Sequence, residues 1–290
     1  MFASLIAASA IAVTGPADMA EWHAACDGKT EGFSDPAPPL HIFGNVYDVG
    51  TCEITVLLIT SPKGHIMLDG ATQEAAPSIA ANIERLGFRL KDIKRIGFTH
   101  EHFDHAGGIA ELQRRSGAIV MSMPPAYLAL SSGQPEKRDP QYGALKPYPP
   151  ANVGVMLSNG FVVQQGPLRL VAWATPGHAP GSTSWSWRSC ENGRCANIVY
   201  ADSVTAISSD AYRFSDHAQY VRAFRSSLGL IGNLGCGLLI TPHPSASNLI
   251  DRLDGKVPLI APGQCRAYAA RGRAALEQRL AKEKHPSAGE

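Results

Sequence analysis

The feature that most constrains this chain is the stretch THEHFDHAGG at residues 99–108, which places three histidines and two acids within six positions. It follows a strand-like run, IKRIGF, and leads into a helix-like run, IAELQRRS. Packing several imidazoles together is costly unless hydrogen bonds or a metal ion compensate, so the cluster indicates a metal site. The candidate ligands are His100, His102, Asp104 and His105.

Two further histidines occur in the same kind of setting. His178 lies in VAWATPGHAPGS and His243 lies in LLITPHPS, each at the end of an apolar, strand-like run. Because strand ends on one rim of a sheet converge, we expect both to join the cluster. Five histidines and one aspartate offer enough donors for two zinc ions with an open coordination position. The other histidines are interpreted as ordinary core or surface residues: His23, His41, His65, His217 and His285.

From about residue 40 the chain alternates short apolar strands with amphipathic helices, without internal repeats. An antiparallel meander is expected ahead of the first helix, and the second half repeats the order of strands followed by a helix. We therefore predict an α/β fold in which two β-sheets pack face to face with helices outside. The proline-rich segment 124–150 is interpreted as too irregular for the core, and long ordered loops of this kind often cover an active site.

Charge restricts the possible partners. The chain has 26 basic and 25 acidic residues with no long run of either sign, so it lacks the electrostatic pattern of nucleic-acid or anionic membrane binding. The expected partner is a small molecule. We expect a monomer that has no nucleic-acid partner and no stable membrane association after processing.

The N-terminal segment MFASLIAASAIAVTGPADMA resembles the hydrophobic part of a secretory signal, although the usual positive region is missing. The alternative is an ordinary helix or a wrongly assigned start. We expect a signal peptide over residues 1–20, cleaved between Ala10 and Ala20, and a single domain over residues 21–290. The protein is then periplasmic or secreted.

Six cysteines, an even number, are compatible with export because oxidising compartments allow disulfides. Cys190 and Cys195 flank the turn ENGR between two strand-like runs, so a disulfide closing a hairpin is geometrically easy there. Free buried thiols are the alternative. The pairing of the other cysteines stays open on these grounds.

The ordered set of motifs resembles the metallo-β-lactamase superfamily. His-x-His-x-Asp-His is followed by TPGH, by a strand end YAD and by a late histidine, and the match covers nearly all of the chain from about residue 40. THEHFDHAGG, TPGHAPGST, YADSVTAISSDAYRFSDH and TPHPS look most like class B β-lactamases of subclass 3. The resemblance implies an αββα sandwich with a site for two Zn²⁺ ions at one edge.

The resemblance also implies roles for individual residues. One zinc ion is assigned to His100, His102 and His178, and the other to Asp104, His105 and His243. Ser203 and Thr205 look like the hydroxyl pair that receives the substrate carboxylate. Asp202 is interpreted as a residue that orients a ligand, because it lies outside the metal set in this subclass. The implied disulfides are Cys26–Cys52, Cys190–Cys195 and Cys236–Cys265.

The implied activity is zinc-dependent hydrolysis of the β-lactam ring of penicillins, cephalosporins and carbapenems, and hence antibiotic resistance. A metal-bound hydroxide, oriented by Asp104 as the catalytic residue, would attack the ring carbonyl. A glyoxalase-II-like thioesterase or a lactonase remains the alternative, because those enzymes share the histidine cluster. A non-catalytic scaffold is disfavoured because no ligand is missing.

Overall fold

The computed structural model describes residues 15–29 and 32–284. Within them, two β-sheets pack face to face and helices cover both outer surfaces, which confirms the predicted α/β sandwich. Residues 1–14 of the predicted signal peptide, and His285, lie outside the described residues. The first described helix, α1 (Met19–Cys26), begins within the predicted signal segment, and the Asp18 side chain caps it by accepting a hydrogen bond from Glu21 N.

The larger sheet contains seven strands in chain order. The first four pair antiparallel as the predicted meander, and the fourth to the seventh run parallel. Its strands are β1 (Leu40–Phe43), β2 (Val46–Asp48), β3 (Leu57–Ile59), β4 (His65–Leu68), β5 (Ile93–Gly97), β6 (Ile119–Ser122) and β7 (Val153–Met156).

The smaller sheet contains five strands in the order β12-β11-β10-β9-β8. β11 and β12 run parallel and the other neighbours are antiparallel. Its strands are β8 (Phe161–Gln165), β9 (Leu168–Ala174), β10 (Thr183–Glu191), β11 (Arg194–Tyr200) and β12 (Leu238–Ile240).

Seven more helices follow α1 in the described residues, besides short 3₁₀ turns. They are α2 (Ala76–Arg85), α3 (Phe103–Ala106), α4 (Ile109–Ser116), α5 (Tyr127–Ser132), α6 (Ala218–Asn233), α7 (Leu249–Leu253) and α8 (Gln264–Lys284). None of the described helices is both long and apolar enough to cross a membrane.

Apolar side chains form three successive layers of core. Successive side chains of a strand point to opposite faces of its sheet, so one strand contributes to two layers. In β3, Leu57 and Ile59 point between the two sheets, whereas Leu58 points toward α2 and α4. Trp185 fills the space between the sheets, and its indole N–H donates to the Phe98 carbonyl at 3.0 Å. A third layer lies between the smaller sheet and the pair α6 and α8. Strands buried on both faces explain the continuous apolar runs in the sequence.

The proline-rich segment 124–150 differs from its prediction. It contains α5, and Leu130 and Tyr148 are buried in the core that α2 and α4 share with the larger sheet. The interpretation of this segment as too irregular for the core was therefore wrong for its two ends. Its middle, residues 133–147, has no regular helix or strand.

All six cysteines form disulfides, in the pairs Cys26–Cys52, Cys190–Cys195 and Cys236–Cys265. These are the pairs that the resemblance implies. The second one closes the β10–β11 hairpin, as the spacing around ENGR suggested. The first links α1 to the segment that precedes β3, and the third links the start of α8 to the segment before β12.

Candidate metal centre

The histidine cluster lies where the chain passes from β5 to α3 and α4, and two glycines allow it to fold tightly there. A Cβ atom at Gly108 would lie 2.2 Å from the Gly70 carbonyl oxygen, and one at Gly107 would lie 2.4 Å from the Phe103 carbonyl oxygen. Only glycine permits such close backbone contact. In return, the His105 carbonyl accepts a hydrogen bond from Gly70 N at 2.8 Å, which holds the cluster against the end of β4.

Three histidines form the first compact group. The ring centroids of His100 and His102 are 4.6 Å apart, and His178, which follows β9 of the other sheet, lies 4.7 Å from His100 and 5.0 Å from His102. One ring nitrogen from each lies within 4.8 Å of the others, and all three residues are buried. The structure therefore brings together the three residues assigned to the first zinc ion.

A second compact group contains His100, Asp104 and His105, whose ligand atoms also lie within 4.8 Å of one another. His243, which follows β12, lies beside this group. Its ring centroid is 5.0 Å from that of His105, and its Nε2 is 3.7 Å from the nearer carboxylate oxygen of Asp104. All six predicted ligands thus converge. The second compact group contains His100, whereas the predicted second set contains His243 in its place. Neither group includes one of the histidines interpreted as ordinary, and the described residues contain no further compact group.

Buried carboxylates face three of these rings. Asp202 lies 2.8 Å from His100 Nδ1, and Asp139 lies 3.0 Å from His102 Nε2. Asp69 lies 3.5 Å from His105 Nδ1. A carboxylate that accepts a hydrogen bond from one ring N–H leaves the other nitrogen free to bind a metal, an arrangement common to metal-binding histidines.

Unpartnered nitrogen atoms test whether the site fits a metal ion. Among the described residues, His100 Nε2 and both ring nitrogens of His105 are buried without a hydrogen bond of good geometry. A buried polar atom left unsatisfied costs about 1–3 kcal/mol, so native proteins rarely leave several together. Imidazole nitrogens with one carboxylate are donors that zinc accepts. The residues present fit zinc.

The electrostatics of three histidines favour the neutral form that binds metals. Burial, followed by the neighbouring His105, His102 and His178, holds the pKa of His100 well below its usual value. Burial lowers the pKa of His178 to about 4, and it does the same for His243. Neutral imidazole keeps a lone pair for coordination.

Asp104 and His105 form an ion pair instead. Burial alone would lower the pKa of His105, but the Asp104 and Asp69 carboxylates outweigh it and raise that pKa. Burial would raise the pKa of Asp104, but the surrounding histidines hold it well below its usual value. The carboxylate charge is therefore retained at neutral pH, where a cation can replace the proton of the imidazole.

The two predicted hydroxyl residues lie on the segment after β11. Ser203 is buried, whereas Thr205 is exposed. Thr205 Oγ1 lies 2.8 Å from His178 Nδ1, and the Thr205 carbonyl oxygen lies 3.2 Å from the same nitrogen. Thr205 thus contacts a predicted ligand, which the sequence interpretation did not anticipate.

The sequence interpretation missed several polar residues of the site. Glu101, between two predicted ligands, accepts a hydrogen bond from Gly181 N at 2.8 Å, and burial raises its pKa to about 7. Gln141 Nε2 lies 3.4 Å from His178 Nε2. Asp69 follows β4 directly, so the strand-end argument could have found it. Asp139 and Gln141 lie in the irregular middle of segment 124–150, where no pattern marks them.

Comparison with known proteins gives a consistent result over most of the chain. The sequence model of the Metallo-beta-lactamase superfamily matches residues 49–230. The crystal structure of MIM-1 from Novosphingobium pentaromativorans is 46% identical, covers 92% of this chain and 99% of its own, and has a TM-score of 0.90. SMB-1 bound to 2-mercaptoethanesulfonate is 43% identical, with coverages of 87% and 99% and a TM-score of 0.84.

A third solved structure is MEM-A1, described as a subclass B3 metallo-beta-lactamase from a soil metagenome library. It is 43% identical, covers 87% of this chain and 98% of its own, and has a TM-score of 0.83. Among curated sequences, a hydroxyacylglutathione hydrolase of Bradyrhizobium sp. is 30% identical over 130 residues. That alignment spans 42% of this chain and 42% of the hydrolase, so the chain matches less than half the length of this relative.

Proposed function

The chain belongs to the metallo-beta-lactamase superfamily, and from this membership we propose that it is a zinc-dependent hydrolase that opens the β-lactam ring of antibiotics. One observation carries the proposal. Solved metallo-β-lactamases align with this chain over almost their full length at more than 40% identity, and the histidine cluster lies within the aligned fold. Penicillins, cephalosporins and carbapenems are the proposed substrates.

We assign two zinc ions to the site. His100, His102 and His178 would hold one, and Asp104, His105 and His243 would hold the other. Bound zinc supplies a Lewis acid and a water whose pKa falls to about 7, which makes a nucleophile available at neutral pH. His100 Nε2, which is buried without a hydrogen-bond partner, supports this assignment.

The protein side chains supply orientation and proton handling. Asp104 is ionised and 8% exposed, so its carboxylate can hold the attacking water through a hydrogen bond and keep it aligned. Ser203 and Thr205 lie on the segment after β11, where Thr205 contacts His178, and their hydroxyls would donate hydrogen bonds to the carboxylate that β-lactams carry. Asp202 keeps its interpreted role as the residue that orients His100.

Export is part of the same proposal. Three disulfides are compatible with an oxidising compartment, and the expected signal peptide over residues 1–20 would deliver the chain there. We therefore propose a periplasmic or secreted enzyme. An exported enzyme would meet an antibiotic that arrives from outside before the antibiotic enters the cytoplasm.

Thioester hydrolysis is the competing activity, because hydroxyacylglutathione hydrolases also match. Their alignment covers less than half of this chain, whereas the solved β-lactamases cover 87–92% of it. A match over less than half of each chain supports common ancestry and does not identify a substrate. Lactone hydrolysis has no specific support among these observations.

A substrate panel tests the proposal directly. The zinc-loaded protein is offered imipenem, nitrocefin, S-lactoylglutathione and a homoserine lactone, with bound zinc quantified in the same sample. We expect turnover of imipenem and nitrocefin alone. Hydrolysis of S-lactoylglutathione in the absence of β-lactam turnover would reject the proposal in favour of a thioesterase.

Asp104→Asn supplies the matched variant for the panel. It should lose at least about 100-fold in kcat on imipenem, in the range expected when a group that handles a proton is removed. Asp92→Asn removes a surface carboxylate whose ion pair, among the described residues, is with Arg89, and it should retain the parent rate. Parent-like turnover by Asp104→Asn would reject the role given to Asp104.

A further inference from the structure

We propose that Asp139 is a positioning residue that fixes His102 and ties the middle of segment 124–150 to the metal centre, so that metal binding orders this segment. The inference rests on the proposed zinc site, although it concerns the metal affinity and the loop rather than the substrate. Asp139 lies 37 residues from His102 in the sequence, and no motif links the two.

The geometry of the Asp139 carboxylate carries the inference. Asp139 is 2% exposed, and its Oδ2 lies 3.0 Å from His102 Nε2. Its other oxygen, Oδ1, accepts a hydrogen bond from Gln141 N at 2.7 Å. One buried carboxylate therefore serves a predicted metal ligand and the turn of the loop at the same time. A carboxylate confined in this way cannot turn toward solvent without breaking both hydrogen bonds.

The hydrogen bond to His102 decides which nitrogen can bind a metal. A neutral imidazole that donates Nε2–H to Asp139 has its lone pair on Nδ1. His102 then presents a single ligand atom to the group that it forms with His100 and His178. The negative charge of the carboxylate also makes the imidazole a stronger donor to a cation.

The same bond places the loop over the site. The turn that Asp139 begins brings Gln141 Nε2 to 3.4 Å from His178 Nε2. The Pro140 carbonyl accepts a hydrogen bond from Ser209 N at 2.9 Å, which joins the loop to the segment after β11. Because residues 133–147 contain no regular helix or strand, the position of the segment depends on individual contacts such as these. Metal that immobilises His102 should therefore immobilise the loop through Asp139.

The experiment compares Asp139→Asn with Glu136→Gln, a matched variant that removes a carboxylate from the same loop. The Asn amide cannot accept both hydrogen bonds, because one of its two polar atoms is a donor. Among the described residues, the Glu136 carboxylate forms its ion pair and its side-chain hydrogen bond with Arg138 alone. Zinc affinity is measured by competition with a chromophoric chelator, and loop order by hydrogen exchange of residues 134–147 with and without zinc.

We expect Asp139→Asn to weaken zinc binding about 10- to 100-fold, the range typical of residues that orient a metal-binding histidine. We also expect zinc to slow exchange of residues 134–147 in the parent and in Glu136→Gln, but not in zinc-saturated Asp139→Asn. Parent-like zinc affinity together with parent-like protection of the loop would overturn the inference.

Unfolding midpoints of the metal-free and zinc-loaded proteins distinguish a positioning role of Asp139 from a general loss of stability. Unfolding of the metal-free proteins shows whether Asp139→Asn merely destabilises the fold, since a structural role would lower the metal-free and zinc-loaded midpoints equally. If zinc raises the unfolding midpoint of Asp139→Asn less than that of the parent, Asp139 positions the ligand. An equal rise in the two proteins counts against positioning. Zinc affinity and hydrogen exchange are both independent of β-lactam turnover. If the parent protein binds zinc but hydrolyses no β-lactam, the proposed substrate is rejected and this inference is unaffected.

Discussion

Thr205 illustrates how one side chain can serve both a ligand and a substrate. Its hydroxyl can accept one hydrogen bond from His178 Nδ1–H at 2.8 Å and still donate its own proton elsewhere. The residue is exposed, so that proton can reach a bound molecule. The predicted contact with the substrate carboxylate and the observed contact with His178 are therefore compatible.

Thr205→Val keeps the shape of the side chain and removes the hydroxyl. We expect KM for β-lactams to rise about tenfold, because a hydrogen bond to a charged group is worth about 1.5–3 kcal/mol. The kcat should fall less than about threefold, because the Thr205 carbonyl at 3.2 Å can still accept from His178. Steady-state kinetics on imipenem and nitrocefin measure both values.

Thr205→Ser is the control for this variant, because it restores a hydroxyl at the same atom. It should return KM to near the parent value. A large fall in kcat with unchanged KM in Thr205→Val would contradict the substrate contact and would assign the hydroxyl to His178 alone.

The sequence predicted the histidines and, through the family resemblance, Asp202 as the partner of a ligand, but it did not predict Asp69 or Asp139. His100, His178 and His243 stand at ends of apolar strands, and parallel strands bring their ends to one edge. The carboxylate that faces His102 comes from a loop without regular structure, whose path depends on contacts far apart in the sequence. Its position could therefore not be derived from periodicity or from strand ends.

At the scale of elements, α1 is attached to the body of the protein by three kinds of link. The disulfide Cys26–Cys52 fixes its end, and Trp22 packs in a small apolar cluster beside it. His23 adds a polar link, because its Nδ1 lies 2.8 Å from Asp27 and its Nε2 lies 3.0 Å from Asp254 at the end of α7. Asp254 also pairs with Lys256.

The His23 link should depend on pH. Hydrogen bonds to Asp27 and Asp254 raise the pKa of His23 above its usual value. A raised histidine pKa means that the stabilisation is complete below the unfolded pKa of about 6.5 and disappears as the pH rises through the folded pKa. We expect His23→Gln to lower the urea midpoint slightly at about pH 5.5 and to have no effect at about pH 9.

Salt provides the control, because His23 and its partners lie near the surface. Raising the salt concentration to about 0.5 M should shrink the difference at low pH, since exposed charges are screened over a few ångströms there. An equal loss of stability at both pH values would show that His23 contributes packing rather than charge.

Elements with strong local signals were predicted, and those held in place by neighbours were not. The β10–β11 hairpin has two apolar runs around ENGR and was expected. β6 and β7 are short, and β7 follows a long loop, so only their parallel pairing within the larger sheet identifies them as strands. The helix α1 has an acidic cap but a weak apolar face, and its attachment depends on the disulfide.

At the scale of the whole molecule, the metal centre lies between the two sheets. The cluster follows β5 of the larger sheet, whereas His178 and His243 follow β9 and β12 of the smaller one. A cation bound by residues from both sheets would therefore connect the two halves of the sandwich. The sequence predicted this convergence only because the strand ends were recognised, and the packing of the sheets determines the distances.

Removal of metal tests this connection. We expect exhaustive chelation to abolish hydrolysis and to lower the unfolding temperature by on the order of 10 °C, since a ligand at about 1,000 times its Kd stabilises by about 4 kcal/mol and each kcal/mol is worth about 2–4 °C in a chain of this size. Three disulfides and the apolar core remain, so the metal-free protein should stay folded. Added zinc should restore both properties, because imidazole and carboxylate ligands release and rebind metal reversibly. Zinc that restores hydrolysis without raising the unfolding temperature would mean that the two sheets hold their relative position without the metal, and that the ligands from the smaller sheet serve chemistry alone.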